Sequence, residues 1–389
     1  MAALIARCHH RLPILIGLSI CSLIVLLTLS HSPPQKILTD KRGWQTIQNE
    51  TLGFQKILCI NLPSRTDKRD AITLGSSLTQ FHVDWVDGIS GDSVSEKAYP
   101  PHLNDPGRPA LLKGEIGSWR AHMNAMQKML ADDLTTALIL EDDVDWDITL
   151  KTQLQEFALG NHALQKHHHS SSPYGDWDLL WLGHCGVKCK PGKPFYKFHD
   201  RTALPPSLLP RYWQGPAVTK GLDTNDTRIV CPITDSVCSY AYAVTHSAAQ
   251  KILAAMSVSP QDDAMPSGEK TVFDIVLGRL CKTGYLKCIS SYPSLIGTWK
   301  PGGDKAKHSD IQTLKENTPE ESESESESES EPEAEAHSLG VMYSTMSNIQ
   351  SLLANPQESI HSAIDDVSPP IHDIKNININ LAKGEIVPA

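Results

Sequence analysis

No stripe of lysine and arginine runs through this chain, no C-x-x-C pair occurs in it, and no long internal repeat is evident. The first absence excludes nucleic acid as the partner, because a phosphate backbone is held by clustered cations. The second removes the usual spacing of zinc ligands, and the third removes solenoids and propellers. Nor does the formal net charge of -10 imply a basic partner, because nine glutamates fall within residues 320–336. The remainder of the chain is close to neutral. A Glu/Ser tract of this kind can bury nothing, so residues 313–338 are expected to form a disordered acidic linker and residues 339–389 a mostly disordered tail. The three adjacent histidines at 167–169 crowd one another too closely to share a metal and read as a surface loop.

Residues 12–29 form an uncharged, strongly apolar run of spanning length. Ser30-His31-Ser32-Pro33-Pro34 follows it rather than small residues of cleavage-site type, which favours an uncleaved signal anchor over a removed leader. The expected layout is a cytosolic tail 1–11, a transmembrane anchor 12–29, a polar stem 30–52 and one large domain 53–312. Two acceptor triplets, at Asn49 and Asn225, place the large portion in a secretory lumen if they are used. Such a protein sits in the Golgi or endoplasmic reticulum membrane as a single-pass type II protein. Cys185 with Cys189, Cys231 with Cys238 and Cys281 with Cys288 are locally spaced, and an oxidising lumen would let some of these six bridge, in a connectivity the sequence leaves open. Cys59, inside Ile57-Leu58-Cys59-Ile60, is expected as a buried free thiol.

The chemistry concentrates where apolar runs end. Ala137-Leu138-Ile139-Leu140 has the pattern of a strand buried on both faces, and it stops in Glu141-Asp142-Asp143-Val144-Asp145. Ligands bind at the carboxyl edge of open α/β sheets, and a hard divalent cation would relieve the repulsion among adjacent acids. A solvated Asp-rich turn accounts for the same residues. An earlier strand, 56–62, turns cationic at Arg65, Lys68 and Arg69, which suits a diphosphate; the same residues also read as a helix start with Ser64 or Thr66 at its N-cap. Residues 81–86 alternate as a second strand. Ile116, Trp119, Met123, Met126 and Leu130 follow helical spacing, so that helix packs one face on the sheet. Gly114 and Gly117 at its start leave room for a ligand against the backbone, and His122 reads equally as a core histidine. Further strands are expected at 178–183, 238–245 and 287–292, and helices at 150–164, 247–253 and 271–277. The order strand, helix, strand, helix, strand, acidic turn is that of a nucleotide-binding α/β half.

Taken in order, Ile60-Asn61-Leu62 with Arg65 and Arg69, Gly114-Glu115-Ile116-Gly117 with His122, Leu138-Ile139-Leu140-Glu141-Asp142-Asp143, the small-residue strand at Tyr242, Asp274 and Ser309-Asp310-Ile311 resemble the family 25 glycosyltransferases. The chain departs from that family at Ser118 and Ala121, where members usually carry Cys and Ser. The resemblance implies a GT-A fold with a mixed central sheet, a UDP-sugar donor, Mn²⁺ or Mg²⁺, and inverting transfer of a sugar, galactose first, to a glycan or protein hydroxyl. A catalytically inactive sugar-binding protein on the same fold is the alternative. On that template Asp143, Asp142, Asp310 and His308 would hold the metal. Asn61, Arg65, Arg69, Glu115, His122 and Asp142 would contact the donor. Asp274, with Asp145 second, would be the base that deprotonates the acceptor. Glu141 points to the opposite face and reads as structural.

Overall fold

The chain divides into two units, Met1–Arg42 and Gly43–Ala389. The computed structural model describes residues 45–165, 172–210, 213, 215–220, 226–303, 309–311, 335–354, 360–362 and 384–388, all in the second unit. The expected anchor at 12–29, the linker through residue 334, Asn225 and His308 lie outside them. Among the described residues no helix is long and apolar enough to cross a membrane.

In chain order the elements are β1 (Lys56–Asn61), α1 (Thr66–Leu78), β2 (Asp84–Asp87), α2 (Lys113–Ala131), β3 (Thr136–Glu141), β4 (Val144–Trp146), α3 (Leu150–Leu164), β5 (Leu179–Gly183), β6 (Gly186–Cys189), β7 (Phe195–His199), β8 (Thr227–Val237), β9 (Ala241–Thr245), α4 (His246–Leu253), α5 (Phe273–Lys282), β10 (Cys288–Tyr292), β11 (Ile296–Lys300), β12 (His337–Leu339), α6 (Ile349–Ala354) and β13 (Glu385–Val387). Nine of the strands form one path, β13-β7-β8-β10-β5-β9-β3-β1-β2, with β6 paired to β8 off that path. β1 runs parallel to β2 and β3, and β10 parallel to β5. β9 is antiparallel to β3 and β5, so the sheet is mixed. The fold is α/β around this sheet, with a separate antiparallel sheet β12-β11-β4 beside it.

Alternation along β3 explains why its apolar run is uninterrupted. Ala137 and Ile139 enter one core with Leu58, Met126, Trp181 and Leu277, whereas Leu138 and Leu140 enter the other with Ile57, Phe157, Leu180 and Trp146. Each fully buried side chain of this size contributes roughly 1.5–3 kcal/mol. α2, α4 and α5 cover the first face, and α1 and α3 the second.

Three boundaries differ from the expected ones. Ile47 and Leu52 are fully buried, so the body of the protein includes the end of the proposed stem. Residues 337–348 also belong to the body: β12 pairs with β11, and Met342, Ser344, Thr345 and Asn348 are buried. Two aspartates explain this. Asp145 accepts hydrogen bonds from Ser344 Oγ and from the amides of Trp146 (2.8 Å) and Met346 (3.2 Å). Asp147 takes Thr149 Oγ1 (2.6 Å) and the amides of Thr149 (2.9 Å) and Tyr343 (3.0 Å). This part of the chain ends in the short helix α6, Ile349–Ala354. Finally, the disulfides are Cys185–Cys238, Cys189–Cys231 and Cys281–Cys288, so only the last joins sequence neighbours. The first two staple β6 and its entry to β8 and its exit. Cys59 is free and buried.

Two consequences of this packing are measurable. Arg228 is 2% exposed; its Nε reaches Asp200 at 2.6 Å, and one terminal nitrogen donates to the carbonyls of Pro293 (2.6 Å) and Ser294 (2.8 Å). Arg228→Met leaves the Asp200 carboxylate buried without its cation, and denaturant unfolding should show a loss of about 3–5 kcal/mol. A loss below about 1 kcal/mol would refute the pairing as a stabilising contact. Asp147 is pushed up to about 7, chiefly by burial. Its folded pKa lies above the unfolded value of about 4, so its contribution to stability is complete below that pH, fades as pH rises, and is lost above about 7. Urea melts at pH 5 and pH 8 should therefore differ less in Asp147→Asn than in the wild type, whatever the variant's absolute stability. Equal differences in the two proteins would sink this assignment.

Candidate active site

Because β1, β2 and β3 are parallel, their carboxyl ends meet at one edge. A cleft of about 300 Å³ opens there, within the range of small-molecule sites. Its walls are the loop after β2, the first turns of α2, the acidic turn after β3 and residues 309–311.

The sequence shapes each wall. Asn61, the last residue of β1, donates from one side-chain nitrogen to Arg65 O (3.0 Å) and to Asp142 Oδ2 (2.9 Å), joining the entry of α1 to the acidic turn. α1 begins at Thr66 with Arg65 at its N-cap and no side-chain cap, so neither Ser64 nor Thr66 plays that part. Gly114 and Gly117 serve close packing of backbone on backbone. A Cβ on Gly114 would lie 2.6 Å from Ile311 Cα, and one on Gly117 would lie 2.3 Å from Ile89 O. The glycines thus admit the two loops that wall the cleft.

The three acids at the end of β3 differ in surroundings. Asp142 is bonded to Asn61 and, through Oδ1, to Lys68 Nζ at 2.9 Å. Burial raises its pKa and the Lys68 charge offsets part of that rise. Asp143 is pushed up to about 6 by burial, against the pull of Lys68 and with the push of Glu141 and Asp142. Its Oδ1 is buried with no hydrogen-bond partner among the described residues. Glu141 lies on the α2 face of the sheet, not in a purely structural position. It lines the cleft, accepts from Ser239 Oγ (2.7 Å) and sits 3.4 Å from His122 Nε2. Burial opposes its charge, but hydrogen bonds and charge from His122, together with Ser239 and Lys68, outweigh it and hold the pKa down.

His122 is both a core histidine and a cleft residue. It is 1% exposed, stacks on Phe273 at 4.3 Å between centroids, and shares a 2.8 Å hydrogen bond with Tyr242 Oη. The cations lining the cleft are Lys68 and Lys113, and Arg65 stands at its rim on Asp310. Lys68 Nζ bonds Asp310 Oδ2 as well as Asp142, both at 2.9 Å, and Arg65 reaches the same Asp310 oxygen at 2.5 Å. Burial disfavours the Lys68 charge, yet Asp143, Asp142 and Asp310 together raise its pKa.

Other expected site residues stand elsewhere. Arg69 lies over the Trp85 ring at 4.5 Å. Glu115 is occupied at the start of α2, where it accepts the Leu112 amide (2.8 Å) and pairs with Lys270 (2.6 Å). Neither lines the cleft. Asp145 is fully buried beneath the acidic turn and spends both oxygens on the 344–346 segment, so it offers no base to an acceptor. Asp274 lies behind the cleft wall, with Oδ2 on the Cys238 amide (2.7 Å) and Oδ1 on its neighbour Ile275 (2.8 Å); burial raises its pKa. Asn49 is exposed, and its Oδ1 accepts from the Thr51 and Gly53 amides at 2.9 and 3.1 Å. Sequence reasoning missed Ser239, which precedes β9 by two residues, and gave Lys68 no role of its own.

The donor chemistry suits a hard divalent ion in part. Asp143 presents a carboxylate oxygen with nothing bonded to it, beside Asp142, and hard cations take carboxylate oxygen. Among the described residues no three His, Cys, Asp or Glu side chains converge on one point. Lys68 stands between Asp142 and Asp310, the two carboxylates that would close such a set.

Residues 54–178 match the model of glycosyltransferase family 25 (LPS biosynthesis protein). Procollagen galactosyltransferase 1 of Danio rerio is 24% identical over 163 residues, 39% of this chain and 25% of that protein. Procollagen galactosyltransferase 1-A of Xenopus laevis is 27% identical over 145 residues, covering 34% of this chain and 22% of that protein. Inactive glycosyltransferase 25 family member 3 of Homo sapiens is 27% identical over 143 residues, with 34% and 22% covered. The matched stretch is thus about a quarter of the length of these relatives. The similarity to glycosyltransferase family 25 is thus carried by residues 54–178, which hold β1, the start of α2 and the acidic turn of the cleft.

Proposed function

We propose that this chain is an inverting glycosyltransferase of GT-A fold that moves a sugar from a UDP-sugar to a hydroxyl on a glycan or protein. The observation that carries the reading is the cleft at the carboxyl edge of β1, β2 and β3, where Asp142 and Asp143 meet Lys68 in the segment matched to the family. Galactose is the sugar and a collagen-like protein the acceptor named by the relatives, and both come to this chain as part of the proposal. Three disulfides and the exposed Asn49 triplet support a body folded in an oxidising secretory lumen, anchored through residues 12–29 in the Golgi or endoplasmic reticulum membrane.

In this reaction the acceptor oxygen attacks the anomeric carbon as the bond to the diphosphate breaks on the opposite face. Negative charge grows on the departing diphosphate, and Lys68 and Arg65 lie on the side of the cleft where it would collect. A Mn²⁺ or Mg²⁺ ion, held by Asp143 with Asp142, would add Lewis-acid neutralisation of the same charge. The acceptor proton needs a carboxylate that faces the cleft. Glu141 does so, whereas Asp274 stands behind the wall with both oxygens engaged. Ser239 and His122 fix the Glu141 carboxylate in place, and their hydrogen bonds favour its ionised form. Glu141 therefore takes the role first assigned to Asp274.

A human relative named inactive keeps a second reading open, a sugar-binding protein on the same scaffold. Screening UDP-sugars with the full chain and Mn²⁺, and measuring UDP release, separates the two; turnover is expected with UDP-galactose. Binding of UDP with no release from any donor would favour the binding protein. Asp143→Ala should lower turnover by about 10²-fold or more, in line with loss of transition-state charge stabilisation. Glu141→Gln should lower it by about 10²–10⁴-fold, the usual weight of a general base, while UDP affinity stays within about twofold. Unchanged turnover in both variants would remove the assigned chemistry.

A further inference from the structure

Among the described residues, Lys68 is the one cation held from both sides of the cleft. It extends from α1, is 7% exposed, and bonds Asp142 Oδ1 and Asp310 Oδ2 at equal distances of 2.9 Å. Asp310 is further pinned by Arg65, and the backbone of 310–311 lies directly on Gly114, where a Cβ would come within 2.6–2.7 Å of it. The second carboxylate is therefore fixed, and Lys68 is held against Asp142 from across the cleft. One residue away, Asp143 Oδ1 is buried with no hydrogen-bond partner among the described residues. Behind the acidic turn lies a second cavity of about 190 Å³, walled by Ile72, Trp299 and Met346 as well as Lys68, Asp142 and Asp143. The Lys68 side chain thus borders open space on both sides.

An ammonium on Asp142 and a divalent ion on Asp143 would repel strongly at such short range, and in a half-buried site that repulsion is poorly screened. A diphosphate between them reverses the sign, since it attracts both. We infer that Lys68 is an internal competitor for the divalent cation, which makes cation binding at Asp142 and Asp143 depend on a nucleoside diphosphate that draws the ammonium off Asp142. The inference rests on the proposed donor site and adds a role that reading does not require: Lys68 sets the order and interdependence of binding. By linkage, whatever factor UDP adds to Mn²⁺ affinity, Mn²⁺ adds to UDP affinity.

The test is Mn²⁺ binding to the full chain, followed by the paramagnetic signal of the free ion, with and without UDP. In the wild type, saturating UDP should tighten Mn²⁺ by about tenfold or more, an ordinary coupling between sites. Lys68→Met should tighten Mn²⁺ in the absence of UDP by about tenfold and shrink the gain from UDP to below about threefold. Equal Mn²⁺ affinity of the two proteins without UDP overturns the inference, and so does an equal gain from UDP. If neither protein binds UDP while Lys68→Met still gains on Mn²⁺ alone, the competition with the cation is upheld, and the nucleotide dependence falls together with the glycosyltransferase reading. Should Lys68→Met not fold, because it strands Asp310, the paired variant Lys68→Met with Asp310→Asn removes charge on both sides. Compared with Asp310→Asn alone, it must show the same Mn²⁺ gain, and no gain there overturns the inference equally.

Discussion

Repulsion among consecutive carboxylates at the end of β3 is the condition that the rest of this cleft answers. A strand buried on both faces delivers Glu141, Asp142 and Asp143 to one edge of the sheet with little water to screen them. Each is met by a different partner. Glu141 turns to the α2 face and is held by Ser239 and His122. Asp142 is bonded by Asn61 from the neighbouring parallel strand and by Lys68 from the helix that follows it. Asp143 keeps a bare oxygen and a pKa raised to about 6, so the cost of burial is left in place there. Unmet buried charge is expensive to retain, and such perturbed groups gather at functional sites.

The same chain segment solves a second problem two residues later. Asp145 and Asp147, on and just after β4, point away from the cleft and collect amides and hydroxyls of residues 343–346. β4 also pairs with β11, which pairs with β12. The acidic run is therefore divided by strand geometry into a half that faces ligand and a half that fastens the C-terminal part of the body. That fastening sits directly under the cleft floor. A change at Asp145 would reach the cleft through position alone, because the side chain is fully buried and does not line it.

Much of this was legible in the sequence for a physical reason. Period-2 burial is strongest in central strands, and β1, β3, β5, β9 and β10 all fall within a residue or a few of where alternation or apolar runs place them. The edge and late strands β6, β7, β8 and β11 were not, because their residues are mixed in polarity and take their pairing from long-range partners. Charged residues were harder still. Arg65, Lys68 and Arg69 are nearly equivalent in sequence, yet helix geometry sends Lys68 into the cleft, leaves Arg65 at its rim on Asp310, and lays Arg69 on Trp85. Glu115 looked like a ligand residue and is a helix-start residue, because a Glu three places into a helix can reach back to the amide at its N-cap. Local disulfide spacing misled for a related reason: β6 and β8 pair antiparallel, which brings Cys185 to Cys238 at one end and Cys189, opposite Ile233, within reach of Cys231 at the other.

The segment that matches the family ends at residue 178, but the site does not. Ser239, Tyr242 and Phe273, which position Glu141 and His122, come later in the chain, and so does Asp310, which fixes Lys68. The segment matched to the family thus supplies the edge of the parallel strands, the acids and the cations. Later residues decide which of those groups are pre-paired, and hence how strongly each resists an incoming ligand. Two chains with the same acidic turn can differ in metal dependence, donor affinity or activity without any change in that turn. How readily those salt bridges yield is set by the contacts between the matched segment and residues 239–311.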